Sequence, residues 1–212
     1  MKIICILCAL EIEYRNVLRF LSVECQFQLN GQWEAAWCQG NRWLVVCCGV
    51  GTQCAEQCAN SVVDRYSDVS GIISAGMAGA MSPEIAIGDL VIGSDVLNYQ
   101  LGVSPEEIKC NIPFPIQTPD IFCFRGKILC SSDFLNNKAL KNKLYEAYKP
   151  LCVEMESAGV LRVCSQKSIP FAGIKVISDY ADGGALKSIL RRQFLVTEKL
   201  GQILSKCIVK TS

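Results

Sequence analysis

Read from its amino terminus, the chain alternates short apolar runs with stretches whose apolar residues recur every three or four positions. Residues 3–8 (IICILC) are continuously apolar and predict a buried strand; the spacing then changes, so that 10–21 predicts a helix. Around Trp33, Trp37 and Trp43 the pattern predicts two antiparallel strands in a hairpin, followed by a buried strand over 43–48 that Gly49-Val50-Gly51 interrupts. Thr52 stands where an N-cap belongs, ahead of a helix to residue 66 with Cys54, Cys58, Val62 and Tyr66 facing inward. Residues 71–75 predict a third buried strand, Gly76-Met77-Ala78-Gly79 a tight turn of small residues, and 87–97 a strand-rich stretch. Residues 98–120 carry Pro105, Pro113, Pro115 and Pro119 without a clear period and predict a loop.

Further on, strands over 127–131, 151–155 and 171–178 alternate with helices over 136–148 and 156–166. A last helix over 185–207 gathers Leu186, Ile189, Leu190, Phe194, Leu200, Ile203, Leu204 and Cys207 on one side. This alternation predicts one α/β domain over 1–212, a three-layer α/β/α arrangement around a central mixed, largely parallel sheet. In such sheets ligands sit beyond the carboxyl ends of the strands. Those ends carry Glu11 and Glu13, Gly49 to Gly51, residues 76–79, residues 131–134, residues 154–156, and Ser178-Asp179.

Composition narrows the chemistry. Half of the 212 residues are hydrophobic and 19% charged, enough for one domain to bury its own core. A net charge of +1 gives no electrostatic reason to expect nucleic acid or a membrane as partner. The chain has no histidine, which excludes Ser-His and Cys-His nucleophiles, His-containing zinc sites and imidazole acid-base chemistry. Proton transfer falls to carboxylates, Lys, Tyr, Cys or water. The 14 cysteines raise the question of disulfides or a metal centre. Cys5 and Cys8, however, are three apart on a strand and point to opposite faces, Cys47-Cys48 lies in an apolar strand, and Cys54 and Cys58 have no second pair to complete a ligand set. Cysteine reads here as a small core hydrophobe in a reducing compartment, with no metal implied. The opening MKIICILCAL runs into Glu11 and Glu13 without a small-residue cleavage pattern, and no segment reaches the roughly 18 apolar residues of a membrane span, so the expected location is cytoplasmic.

Gly49-Val50-Gly51 has the beginning of a dinucleotide fingerprint, but Cys54 occupies the third glycine position and no nicotinamide or flavin is expected. In Cys152-Val153-Glu154-Met155-Glu156-Ser157, two acids and a Met sit at a strand-to-helix junction with apolar flanks. An unpaired buried acid is costly, so these face a cleft or are hydrogen-bonded; taken alone, Glu156 is equally a first-turn acid favoured by the helix dipole. Asp179, at the end of Val176-Ile177-Ser178, is equally an acid that starts a loop.

Taken as an ordered set, several segments resemble the purine nucleoside phosphorylase and uridine phosphorylase superfamily. They are Met1-Lys2-Ile3 through Ala9-Leu10-Glu11-Ile12-Glu13, Cys48-Gly49-Val50-Gly51, residues 75–80, Gly88-Asp89-Leu90-Val91-Ile92, Val153-Glu154-Met155-Glu156, and Ile177-Ser178-Asp179-Tyr180-Ala181-Asp182. The resemblance is closest to the methylthioadenosine/S-adenosylhomocysteine nucleosidase branch. It implies cleavage of the N-glycosidic bond of a purine nucleoside, with no cofactor. Asp179 would protonate N7 of the departing base, Glu156 would bind ribose hydroxyls, and Glu13 would orient and deprotonate water. Met155 would pack on the sugar, Phe134 would stack on the base, and Ser178 would steady Asp179, although a lone Phe or Met is ordinarily core. Glu154, Met77, Gly79 and Leu135 complete the expected substrate-binding set.

Hydrolysis is expected over phosphorolysis. A phosphate dianion needs cationic partners, yet Ser74 stands where phosphorylases of this superfamily place an Arg, and Glu13 would repel it. Met77 departs from the Ser usual in these nucleosidases. The chain between Gly88 and Gly126 is also shorter than in typical nucleosidases, in the segment that caps the 5′-substituent and helps form their dimer. The expectation is therefore an open 5′ pocket, a bulky 5′-modified adenosine such as 6-amino-6-deoxyfutalosine of the menaquinone route, and a less secure homodimer. The alternatives are a methylthioadenosine/S-adenosylhomocysteine nucleosidase, a phosphorylase of the purine nucleoside or hopanoid-associated type, and a non-catalytic nucleoside-binding module.

Overall fold

A computed structural model of the chain describes residues 2–40, 42–112, 114, 116–117, 121–182 and 185–209. Met1, Pro113, Pro115 and Pro119, and the side chains of Leu186, Ile189 and Leu190, lie outside the described residues. In chain order the elements are β1 (Ile3–Cys8), α1 (Glu11–Leu18), β2 (Val23–Leu29), β3 (Trp33–Cys38), β4 (Trp43–Cys47), α2 (Thr52–Arg65) and β5 (Val69–Ala80). There follow β6 (Leu90–Gly93), β7 (Val96–Tyr99), β8 (Glu106–Ile108), β9 (Ile116–Gln117), β10 (Phe124–Arg125), β11 (Ile128–Ser131) and α3 (Lys138–Tyr148). The chain closes with β12 (Cys152–Glu154), α4 (Ser157–Lys167), β13 (Phe171–Asp179), α5 (Ala185–Lys206) and β14 (Ile208–Val209).

The sheet runs β2-β3-β4-β1-β5-β12-β11-β7-β8, with β13 pairing to β5 and carrying β6 and β10. β1 lies parallel between β4 and β5, and β13 is parallel to the other edge of β5, whereas β12 meets the end of β5 antiparallel. The sheet is thus mixed and largely parallel, as the alternation predicts. Because β1 is buried on both faces, its side chains divide between two cores: Ile4, Ile6 and Cys8 pack with residues of α1 and α5, while Ile3, Cys5 and Leu7 pack with α2 and α4. This is the three-layer arrangement, and it places Cys5 and Cys8 on opposite faces as the period of a strand requires. Most of the 14 cysteines, all free thiols, are buried. Among the described residues no helix is long and apolar enough to cross a membrane.

Several expectations need correction. Residues 76–79 are not a turn, because β5 continues straight through them to Ala80, held by β13 along one edge. Residues 98–120 are not all loop: β8 pairs antiparallel with β7 (Val96 opposite Ile108) and β9 pairs with β14. The first is a short antiparallel pairing whose strands carry no clear alternation, and the second joins segments far apart in the chain, which local periodicity does not show. Gly51, with φ of 101°, is the N-cap of α2 rather than Thr52, whose hydroxyl instead donates to the Met155 carbonyl at 3.0 Å. Cys54 is exposed, and the inner face of that helix is Ala55, Cys58, Ala59 and Val62. Phe194 is half exposed; Val196, Leu200, Ile203, Leu204 and Cys207 fill the inner face of α5.

Candidate functional site

One cavity of about 220 Å³ opens at the carboxyl ends of β1, β5, β12 and β13. Glu13, Glu156 and Asp179 all line it, so the structure brings together acids from three distant parts of the chain. Met155, Phe134, Ser178 and Glu154 line it too, as do Met77, Gly79 and Leu135.

Glu13 is the third residue of α1 and reaches back over the helix start. Its Oε2 accepts from the backbone N–H groups of Leu10 (2.9 Å) and Ala9 (3.1 Å). This is the returning half of a capping box; Leu10 at the N-cap has no acceptor to supply the other half. Oε1 accepts from the Met77 N–H at 2.8 Å, which ties the helix to β5. A Cβ at Gly76 would lie 2.9 Å from Glu13 Oε1, and one at Gly79 would lie 2.9 Å from Asp179 Oδ1. The two glycines are therefore required by the close approach of two carboxylates to a continuous strand, not by a turn. Burial raises the pKa of Glu13, against the pull of these N–H donors and of Lys175. Its neighbour Glu11 is exposed and paired with Arg15, outside the cavity lining.

Asp179 ends β13 at an irregularity. Ile177 pairs with Ala78 and Asp179 with Gly79, leaving Ser178 as the extra residue of a β-bulge. The bulge breaks the alternation of the strand, so both Ser178 and Asp179 face the cavity. Asp179 Oδ1 accepts from the Ala181 N–H and Oδ2 from the Ser178 hydroxyl, both at 2.7 Å. Ser178 Oγ also lies 3.3 Å from the Ala78 carbonyl, a second acceptor for the same hydroxyl proton.

Glu156 is the N-cap residue of α4, yet its side chain does not cap that helix. Oε1 accepts from the Gly51 N–H at 2.9 Å, at the start of α2, and Oε2 from the Met155 N–H at 3.2 Å. Burial and then the adjacent Glu154 carboxylate push the Glu156 pKa up to about 7. Glu154 differs: its Oε2 forms an ion pair with Lys175 Nζ at 2.8 Å, and its oxygens accept from the N–H and hydroxyl of Ser157. Both charged side chains are about 98% buried or more. Lys175 also donates to Ser74 Oγ at 2.9 Å. Burial alone would lower the Lys175 pKa, but Glu154 and Glu156 offset that and hold the ammonium charged.

Apart from the exposed Asp133, the remaining wall is apolar: Leu10, Val50, Phe134, Leu135, Val153 and Met155. Phe134 is half exposed at the rim rather than core. Leu10, Val50 and Val153 went unassigned in the sequence, where a single aliphatic side chain beside a strand end carries no chemical signal. Among the described residues that line the cavity there is no Lys or Arg. The arrangement offers one acid at a bulge, one hydrogen-bonded acid across from it, and one acid near neutrality between two helix starts, against an apolar wall fit for a flat ring.

The sequence profile of the phosphorylase superfamily matches residues 3–209. A 5′-methylthioadenosine/S-adenosylhomocysteine nucleosidase of Baumannia cicadellinicola is 23% identical over 82% of this chain and 84% of its own. One of Halalkalibacterium halodurans is 26% identical over 75% and 76%. Similar solved structures include the native futalosine hydrolase of Helicobacter pylori (TM-score 0.81, 21% identity, 97% of this chain and 96% of that one). Another is the methylthioadenosine/S-adenosylhomocysteine nucleosidase of Neisseria meningitidis with methylthio-immucillin-A (TM-score 0.82, 19% identity, 97% and 98%).

Proposed function

The chain belongs to the phosphorylase superfamily, and from that premise we propose that it is a hydrolase of N-glycosidic bonds, releasing adenine from a 5′-modified adenosine. The observation that carries this reading is the convergence of Glu13, Glu156 and Asp179 on one cavity whose described lining holds no cationic side chain. Relatives of similar sequence bear nucleosidase names.

In this reading the base stacks against Phe134, and Asp179 gives a proton to N7 as the C1′–N9 bond breaks, so that the bonding pair leaves with a neutral adenine. General acid help of this kind contributes on the order of 10²- to 10⁴-fold. Positive charge developing on the ribose is met by Glu156, whose hydrogen bonds to the sugar hydroxyls strengthen as the oxocarbenium character grows. Glu13 takes the proton of the water that attacks C1′, and a 5-substituted ribose leaves. Phosphorolysis is disfavoured because a phosphate dianion would enter beside Glu13 without a counter-charge, Lys175 being committed to Glu154.

Among 5′-modified adenosines we place 6-amino-6-deoxyfutalosine first and methylthioadenosine and S-adenosylhomocysteine second. No described residue from 80 to 132 lines the cavity, which favours an open 5′ side. The test is an adenine-release assay on wild type and Asp179→Asn across these substrates, with and without phosphate. Expected are phosphate-independent release, a loss of about 10²- to 10⁴-fold in the variant, and preference for the bulkier substituent. Release that requires phosphate and yields ribose 1-phosphate overturns hydrolysis; preference for methylthioadenosine overturns the substrate order.

A further inference from the structure

Glu154 and Glu156 are the same residue type two positions apart, at one strand-to-helix junction, and the structure gives them opposite duties. An N-cap side chain normally accepts an N–H from the first turn of its own helix. At α4 the N-cap is Glu156, and it makes no such bond. The task has moved two residues upstream. Glu154 accepts from the Ser157 N–H with both oxygens, at 3.0 and 3.1 Å. Its Oε2 also accepts from the Ser157 hydroxyl at 2.9 Å and from the N–H of Glu156 itself at 3.2 Å.

Such a carboxylate, almost wholly buried, needs a counter-charge. Lys175 supplies it from β13 at 2.8 Å, and Ser74 on β5 holds the same ammonium at 2.9 Å. Glu156 is thereby released from its helix and lies across to the N–H of Gly51, 2.9 Å away at the start of α2.

We propose that Glu154, held by Lys175, is a positioning residue: it caps α4 in place of Glu156, so that the Glu156 carboxylate is free to face the cavity. Glu154 then binds no substrate, which revises its assignment from the sequence. The proposal rests on the nucleosidase reading only for the ribose contact it gives to Glu156. Glu156 is faced by Glu154 from β12, Lys175 from β13, Glu13 from α1, and the thiols of Cys48 and Cys130. Of the charged neighbours Glu154 acts most strongly and raises the Glu156 pKa, while Lys175 acts second and lowers it.

The test uses Glu154→Gln and the charge-free pair Glu154→Gln/Lys175→Met. The pair keeps the fold accessible if the single variant leaves Lys175 without a partner, since replacing both members of a buried ion pair is often tolerated. Carbon-13 titration of the Glu156 carboxyl needs no substrate. Its midpoint is expected to fall in both variants, by about one unit in Glu154→Gln, where the repulsive neighbour is gone and Lys175 remains, and by less in the pair, where the attraction of Lys175 is lost as well. With a 5′-modified adenosine, KM is expected to rise by about tenfold or more and the acid limb of kcat/KM to move to lower pH with the midpoint. A Glu156 midpoint and a KM both unchanged in the two variants would overturn the proposal. A wild type that releases no adenine, in which the midpoint still moves, overturns the nucleosidase reading and leaves the positioning of Glu156 standing.

Discussion

Adding a single methyl group at Gly76 puts the argument about β5 to a direct trial. In Gly76→Ala the new Cβ meets Glu13 Oε1 at 2.9 Å, Cδ at 3.2 Å and Oε2 at 3.3 Å, whereas ordinary contact begins at 3.4 Å. The nearest oxygen has to retreat by about 0.5 Å, the difference between 2.9 and 3.4 Å. A carboxylate at the tip of a flexible side chain would usually move aside freely. This one is fixed by N–H groups of Met77, Leu10 and Ala9 at 2.8, 2.9 and 3.1 Å, and is almost fully buried. The strand cannot give way easily either: Gly76 is paired with Lys175 of β13, and the adjacent Ala75 is paired with Cys8 of β1. Glu13 therefore loses one of its hydrogen bonds, at about 1.5–3 kcal/mol for a bond to a charged group. If the loss falls on the placement of the attacking water, kcat drops by about 10- to 150-fold while KM stays within a few-fold. Adenine release at saturating and limiting substrate measures both, with a thermal melt to establish that the variant is folded. A folded Gly76→Ala enzyme with kcat within twofold of wild type refutes the claim that the glycine makes room for a fixed catalytic carboxylate.

Gly79→Ala brings a Cβ within 2.9 Å of Asp179 Oδ1 and 3.0 Å of the Ala181 Cβ, and is expected to lower kcat at least as far as Gly76→Ala, read in the same assay. With Glu156 titrating at about 7, kcat/KM for a 5′-modified adenosine should fall as pH drops below about 7 and the carboxylate that meets the sugar takes up a proton. The same group should make the folded chain less stable at high pH. A carboxyl with a folded pKa of about 7 against 4.5 unperturbed contributes stability that is complete below about 4.5 and is lost as pH rises through about 7, an amplitude of about 3 kcal/mol. Urea titrations at pH 5 and pH 8 should show a larger loss in wild type than in Glu156→Gln, where Glu13, whose pKa burial also raises, still contributes; an equal loss in the variant would place the effect elsewhere.

The fold was readable because each layer repeats one simple constraint. β1 is apolar at every position, which only a strand covered on both faces tolerates, and α2 changes to a spacing of three and four that buries Ala55, Cys58, Ala59 and Val62. Acids directly after such strands were informative for the same reason, since nothing in a packed core accounts for Glu13, Glu156 and Asp179. What escaped the sequence depends on partners distant along the chain. Gly76-Met77-Ala78-Gly79 has the composition of a turn, and only the carboxylates lying against it explain why small residues occur inside a strand. Ile116 and Gln117 gain their strand from the register with β14. Lys175, in an otherwise apolar strand, gains its meaning only from Glu154, which approaches from the separate strand β12.

The distribution of hydrogen-bond donors explains how one apolar cavity holds so many acids. Glu13 takes three backbone N–H groups. Glu154 takes an ammonium together with the N–H and hydroxyl of Ser157. Asp179 takes the Ser178 hydroxyl from its own bulge and the Ala181 N–H just beyond the strand end. Glu156 receives two backbone N–H groups, one of them long, and also lies beside another carboxylate, so its pKa rises to about 7. A structural acid would be expected to collect donors as Glu154 does. Leaving one acid undersatisfied at the mouth of two helices costs stability and makes sense when a ligand completes the set, as ribose hydroxyls do in the proposed reaction. The protein can place that acid there because its neighbour two residues earlier carries the capping duty and the ion pair. The Val153-Glu154-Met155-Glu156 motif therefore contains a division of labour: one acid shapes the junction and the other is held ready for the sugar.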